Sequence, residues 1–179
     1  MDPAGATPLA LVLQFTIFRN NRANSGGAVF FEDPPGGGVA VTPTFTGRAV
    51  TFSGNAAADR GGAIAGRSVL VDISRSVFLR NTSQSGAAVW IDTPANRPSV
   101  FANSLFALNK APAGTFVGRA ARFINATMLG SDGPGLVLLP PVTGGPAQAI
   151  RLSNSIVENN NGGNCPADPA SIIDDGANL

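Results

Sequence analysis

The chain has 179 residues, a formal charge of +1, 44% hydrophobic and 13% charged residues, 22 Gly, 14 Pro, one Cys and no His or Tyr. That length predicts one domain over residues 1–179, and the scattered basic residues (11 Arg and Lys110) form neither a basic stripe nor an aromatic-backed platform, which argues against nucleic acid as a partner. The absence of His excludes His-based triads and His-containing metal sites, and a lone Cys165 excludes an internal disulfide.

Residues 1–10 form a Pro/Gly/Ala lead. The stretch Leu9 to Phe18 (L-A-L-V-L-Q-F-T-I-F) has the apolar density of a signal-peptide core, but Asp2 and Pro3 stand where basic residues belong and no small-residue cleavage site follows. It is also too short to cross a bilayer, and the chain offers no transmembrane segment. It is predicted as a first strand.

Phe18 to Val29 (F-R-N-N-R-A-N-S-G-G-A-V) then states a template. It returns as Phe52 to Ile64 (F-S-G-N-A-A-A-D-R-G-G-A-I) and as Phe78 to Val89 (F-L-R-N-T-S-Q-S-G-A-A-V). Weaker copies follow at Phe106 with Asn109 and Gly114, Met128 with Ser131 and Gly135, and Val157 with Asn160 and Gly163. The six phase residues are 34, 26, 28, 22 and 29 apart, a period that signals stacked repeats. Asn also recurs at a fixed offset before the last three of them, in N-S-L-F-A-L-N from Asn103, N-A-T-M-L-G-S from Asn125 and N-S-I-V-E-N-N from Asn154.

In order, the predicted coils are one up to Phe31, two from Phe45 to Gly66, three from Arg67 to Ile91, four from Val100 to Val117, five from Arg122 to Leu139, and a last from Ile150. Pro- or Gly-rich excursions interrupt them at Glu32–Thr44, Thr93–Pro98 and Pro140–Pro146, and the first explains the longest spacing. Helical repeats are excluded, because Gly, Asn, Ser, Thr and Pro break every apolar run within a few residues. Alternation at Val69, Val71 and Ile73, or at Ile150 and Leu152, is that of strands with one buried face.

About six coils, each about 4.8 Å deep, make a cylinder about 30 Å long, with Phe on Phe and Asn on Asn. The repeated Asn is expected to take a left-handed bend and to bond the amides above and below it. Gly at the next corner allows positive φ or close approach of coils. Both ends of such a cylinder are open strands that need a cap or further coils.

The pairing of F-x-x-N with G-G-A-[ILV], at Phe18/Asn21/Gly26, Phe52/Asn55/Gly61 and, with Ala for the second Gly, Phe78/Asn81/Gly86, resembles the repeat of chlamydial polymorphic outer-membrane proteins. The tail, L-S-N-S-I-V-E-N-N-N-G-G-N-C from Leu152 and S-I-I-D-D-G-A-N-L from Ser171, is similar to the closing coils of bacterial choice-of-anchor surface proteins. The resemblance implies an all-β, right-handed parallel β-helix of the pectin-lyase-like class. It further implies an extracellular or cell-surface location and a non-enzymatic scaffold for adhesion, with glycans or a host or cell-surface protein as partner and no cofactor. The glycine step decays after Gly86 and the family pattern usually continues past Leu179 to a second Cys, so a segment of a longer surface protein, or a shortened one, is expected. Other readings are a polysaccharide lyase or glycoside hydrolase on the same fold, and a truncated fragment without activity of its own.

Only one constellation offers chemistry. Glu32, Arg67 and Asp92 each fall six positions after the first Gly of a step, so coils in register would align them as acid, base, acid. An exposed charge ladder is one reading. The other is a carboxylate pair two rungs, or ~9.6 Å, apart, at the upper end of the separations used for inverting glycoside hydrolysis. Arg67 between them favours two ionised carboxylates, which suits the ladder better than a general acid. Asp72 and Arg75 on the next strand could support either. No catalytic residue is assigned beyond these candidates, and no cofactor or metal site.

Asp174-Asp175 and Asn159 to Asn161 supply oxygen ligands without the spacing of a calcium loop, so a solvated turn is expected. Asn81-Thr82-Ser83 and Asn125-Ala126-Thr127 match glycosylation acceptors, although Asn81 lies in the stacked column. Trp90 either fills the core or stacks on a sugar from the outer face. Cys165 is either a small buried or turn residue or half of a disulfide whose partner lies outside this chain.

Overall fold

The computed structural model describes residues 9–32, 42–93, 97–140, 148–165 and 172–178; most of the three excursions, and the lead before Leu9, lie outside them. The first turn of the chain comprises β1 (Ala10–Gln14), β2 (Ile17–Arg19), β3 (Arg22–Ser25) and β4 (Val29–Phe31). The second repeats it with β5 (Thr44–Arg48), β6 (Thr51–Ser53), β7 (Ala56–Arg60) and β8 (Ile64–Arg67). Then follow β9 (Leu70–Ser74), β10 (Val77–Leu79) and β11 (Val89–Asp92); β12 (Ser99–Ala102), β13 (Leu105–Ala107) and β14 (Phe116–Gly118); and β15 (Ala121–Ile124), β16 (Thr127–Leu129) and β17 (Leu136–Leu138). The last described strands are β18 (Ile150–Ser153), β19 (Ile156–Glu158) and β20 (Ile172–Asp174).

Among the described residues all strand pairing is parallel and between successive turns, which produces a seven-stranded sheet (β1-β5-β9-β12-β15-β18-β20), a six-stranded sheet (β2-β6-β10-β13-β16-β19) and a five-stranded sheet (β4-β8-β11-β14-β17). A two-stranded pairing of β3 with β7 completes the wall. This is an all-β parallel β-helix.

The phase residues meet in register: Phe18 pairs with Phe52, Phe52 with Phe78, Phe78 with Phe106, Phe106 with Met128 and Met128 with Val157. Their rings stack inside the cylinder, with centroids 5.3, 4.8 and 4.5 Å apart along Phe18, Phe52, Phe78 and Phe106. Each such pair contributes about 0.5–1.5 kcal/mol beyond its buried area. Phe101, stacked on Phe123 at 5.2 Å, fills the neighbouring interior with it, both edge-on to Phe106 and to Phe116.

The Asn column forms a buried ladder. Asn21 Nδ2 donates to Asn55 Oδ1 (2.9 Å), Asn55 Nδ2 to Asn81 Oδ1 (3.0 Å) and Asn81 Nδ2 to Asn109 Oδ1 (3.1 Å). The backbone N–H of Asn21, Asn55 and Asn81 donates to the same oxygens. The second amide hydrogens of Asn55, Asn81 and Asn109 go to the carbonyls of Phe18, Phe52 and Phe78. At Ser131 the side-chain ladder is broken, and it resumes with Asn160, whose Oδ1 accepts from Ser131 N and whose Nδ2 donates to Asn164 Oδ1.

Two expectations are corrected. The ladder Asn does not take the left-handed conformation; the residue before it does, at Asn20, Gly54, Arg80, Leu108, Gly130 and Asn159, with φ between 53° and 65°. The amide is thereby turned inward, where it bonds its neighbours. And Leu9 to Phe18 is two strands, because Phe15 (φ 49°) turns the corner between β1 and β2. The same corner is turned at Ala49, Arg75, Asn103, Asn125 and Asn154, which explains the Asn found upstream of the last three phase residues. The glycine corner behaves as expected: Gly26, Gly61 and Gly86 have φ of 59°, 63° and 63°. After it, a Cβ on Gly62 would stand 2.1 Å from the Ala87 carbonyl oxygen.

A candidate binding face

The charged column lies on the outer side of the five-stranded sheet. Strand residues alternate there, so Val89 and Ile91 join the core while Trp90 and Asp92 point away from it. Register sets Arg67 opposite Asp92, and Glu32 follows one position after Phe31, which pairs with Gly66. The predicted order of acid, base, acid is therefore present. Glu32 and Arg67 are exposed and Asp92 is half-buried.

Asp92 engages a different cation from the one expected. Arg119, one position after Gly118, donates to the Asp92 carboxylate through Nε and to the Pro140 carbonyl through Nη1. Among the described residues Arg67 is in no ion pair with either acid. The column thus continues to a fourth member. The sequence carried the signal, since F-V-G-R at Phe116 repeats I-A-G-R at Ile64.

Trp90 is buried, as the core-filling reading expected, but from the outer side of the sheet and not as part of the packed central cluster. It faces outward yet is only 9% exposed, because the Arg60 guanidinium lies 4.5 Å from its ring centroid and covers it. A guanidinium over an indole face is an attractive arrangement that fixes the orientation of the arginine. Two strands along the same outward column, past Ala65, stands Phe30, 47% exposed.

Between β3 and β4, Phe30 and Arg60 border an open cleft of about 390 Å³, lined also by Asn24, Ser25 and Glu32. Ser25 is the register partner of Arg60. Arg60 Nε lies 3.4 Å from Asp59 Oδ2, but it is buried and makes no hydrogen bond among the described residues. Glu32 is the member of the predicted column that reaches this cleft; Arg67, Asp92 and Trp90 share the face but do not line it. Sequence reasoning passed over Phe30 and Arg60. Neither has an unusual residue type or spacing, and only the pairing of β3 with β7 brings Asn24, Ser25 and Arg60 beside Phe30.

The other oxygen-rich positions are engaged locally. Asp174 Oδ1 accepts from Gly176 N and Asn178 Nδ2, and Asp175 Oδ1 accepts from Arg151 at 3.0 Å. Asn160 belongs to the ladder. Asp72 and Arg75 are exposed on the seven-stranded sheet and its corner, on a different face from Asp92. Lys110 and Asp132, on successive turns, pair at 2.9 Å; the hydrogen bond from Lys110, then one from Asn161 and the lysine charge hold the Asp132 carboxyl below its ordinary range, and the same pair raises Lys110. Of the two glycosylation-type triplets, Asn81 is fully buried in the ladder, whereas Asn125 is exposed with its amide bonded to Asn103. Cys165 is exposed in a bend, not buried. Local desolvation nonetheless raises its thiol pKa.

Comparison with known proteins follows the repeat. The Chlamydia polymorphic membrane protein repeat matches residues 15–32 and 49–67, which run from the corner before β2 to the end of the first excursion's leading residue and from the corner before β6 to the end of β8. The probable outer membrane protein pmp13 of Chlamydia pneumoniae is 29% identical over 147 residues, 75% of this chain and 15% of the relative, so the chain spans a small part of that protein's length. No solved structure matches the chain. The chain is thus a parallel β-helix that resembles the polymorphic membrane protein repeats of Chlamydia, most closely in its first two turns.

Proposed function

We propose that the chain is part of a surface-exposed β-helix scaffold of the outer membrane or cell surface, non-enzymatic, whose outward side chains make adhesive contacts with glycans or surface proteins. One observation carries this reading: the repeated residues are consumed by the stack, with Phe and Asn directed inward, while the outward residues of the same strands change from turn to turn. The location is drawn from the likeness to an outer membrane protein of Chlamydia pneumoniae. Intact cells producing the full-length protein, probed with an antibody to an outward loop and by external protease, test it. Labelling and cleavage without permeabilisation are expected; labelling only after permeabilisation overturns the reading.

A second reading has one supporting observation, the alignment of Glu32, Arg67 and Asp92 along one outward face. It is polysaccharide cleavage by a lyase or hydrolase of the pectin-lyase-like class. A degradation screen with purified chain, Glu32→Gln and Asp92→Asn separates the two. Turnover that disappears in both variants replaces the scaffold reading, and binding without turnover supports it.

A further inference from the structure

We infer that the cleft between β3 and β4 is a binding site for a carboxylate-bearing sugar, such as a uronic or sialic acid residue at the end of a glycan. The inference deepens the surface-recognition reading and rests on it.

Arg60 is the centre of the site. Its planar guanidinium is held against Trp90 at 4.5 Å with its buried Nε beside Asp59 Oδ2 at 3.4 Å, so the orientation of its remaining donors is fixed before any ligand arrives. A guanidinium fork matches a carboxylate in two parallel hydrogen bonds, and such charge-assisted bonds are the stronger kind. Around it the cleft supplies a different chemistry. Glu32 is an acceptor for hydroxyl hydrogens, Asn24 offers both an acceptor and donors, and Ser25 a hydroxyl. Phe30, 47% exposed, adds an apolar face to the lining. A sugar ring has one apolar C–H face and a rim of hydroxyls, and an acidic sugar adds one carboxylate. Those three features correspond to Phe30, to Glu32 with Asn24 and Ser25, and to Arg60. The cleft volume of about 390 Å³ falls within the range of small-molecule sites. A purely anionic ligand would be repelled by Glu32 and Asp59, and a purely apolar one would leave the Arg60 guanidinium with Asp59 at 3.4 Å as its one ionic partner among the described residues, so a mixed ligand is favoured on both counts.

The test uses the purified chain on an array of glycans terminated by N-acetylneuraminic acid, by glucuronic acid, by the carboxyl-reduced forms of each, and by neutral sugars, followed by calorimetric titration of the best binder. Binding to the acidic glycans is expected, with a loss of at least about tenfold on carboxyl reduction and a similar loss in Arg60→Lys, which keeps charge but not the planar fork. Because Arg60 also covers Trp90, the exposed positions provide variants that leave the fold intact: Phe30→Ala is expected to weaken binding about three- to tenfold, and Glu32→Gln to weaken it while lowering the preference among hydroxyl patterns. Equal binding of acidic and carboxyl-reduced glycans overturns the inference, as does absence of binding to every acidic glycan, or affinity unchanged in Phe30→Ala and Glu32→Gln. Since this assay is done in solution, a chain that is surface-accessible on cells but fails here sinks the ligand assignment alone.

Discussion

Removing one rung of the Asn ladder separates a structural amide from a decorative one. In Asn81→Ala the side-chain oxygen that accepts from Asn55 N and Asn55 Nδ2, both at 3.0 Å, is lost. So are the two amide hydrogens that reach the Phe52 carbonyl at 3.0 Å and Asn109 Oδ1 at 3.1 Å. Asn55, Asn81 and Asn109 are all 0% exposed, so water cannot replace these partners without opening the stack. Asn109 Oδ1 keeps its bond from Asn81 N, which leaves the two donors of Asn55 and the Phe52 carbonyl as the groups that suffer. A buried polar group without a partner costs about 1–3 kcal/mol, so with three such groups the variant should lose about 3–9 kcal/mol, a large share of a domain's stability. Asn21→Ala is the matched control. It sits at the exposed start of the ladder and donates one side-chain bond, so its cost should stay below about 1 kcal/mol. Urea unfolding followed by circular dichroism measures both, and hydrogen exchange at the Asn55 amide reports the local opening. A cost for Asn81→Ala within about 1 kcal/mol of the Asn21→Ala cost, or an Asn55 amide that stays protected, would refute the claim that the ladder holds the turns together.

Further outcomes follow from the same geometry. Ser131→Asn should restore the missing rung, giving the Asn109 side chain an acceptor where the Ser131 hydroxyl is now buried and unpaired, and raise stability by about 1–2 kcal/mol in the same urea assay. Gly62→Ala should destabilise by about 3 kcal/mol or prevent folding, because the new Cβ meets the backbone oxygens of Ala87 and Thr82 and not a movable side chain. For Lys110 and Asp132 the signs run in opposite directions: the depressed Asp132 value means its contribution is present above the ordinary carboxylate range and fades as pH falls through the folded value, whereas the raised Lys110 contribution is present at neutral pH and fades as pH rises through the lysine's folded value. NMR titration of the Asp132 carboxyl should show a midpoint below a model carboxylate, returning upward in Lys110→Met; because both groups are exposed, the shift should shrink in high salt.

The fold was legible because the repeat is written in the residues that face into the stack. Phe18, Phe52, Phe78 and Phe106 share one interior line and Asn21, Asn55, Asn81 and Asn109 another, so their spacing in sequence is the rung spacing in space. The corners were less legible. The left-handed residue before each ladder Asn is Asn, Gly, Arg, Leu, Gly or Asn, a set with no common type, because the parallel pairing on both sides fixes its backbone whatever its side chain. Phe15 illustrates the extreme: an aromatic residue at φ 49°, 79% exposed, gives no local sign of a turn. The charged column was half legible. Arg67 opposite Asp92 follows from counting, but the partner that Asp92 uses comes from the next turn, after a glycine step the template had already lost.

Why the same sequence says so little about a ligand is a consequence of the strand period. Along β10, Phe78 is buried while Val77 and Leu79 on either side are half-buried. The outward line through Val77 reads Ile17, Thr51, Val77, Leu105, Thr127 and Ile156, and that through Leu79 reads Arg19, Ser53, Leu79, Ala107, Leu129 and Glu158. Stacking constrains the inward line to flat or flexible apolar side chains and leaves these outer lines without a rule. A repeat motif therefore records the inside of the cylinder, whereas recognition depends on the outside. The cleft at Phe30 is an instance: its aromatic wall faces outward from a strand whose register partner is Ala65, and its guanidinium arises in β7, the strand that departs from perfect register with β3. Contacts of that kind are made by residues that differ between turns, and so they emerge only when the turns are stacked.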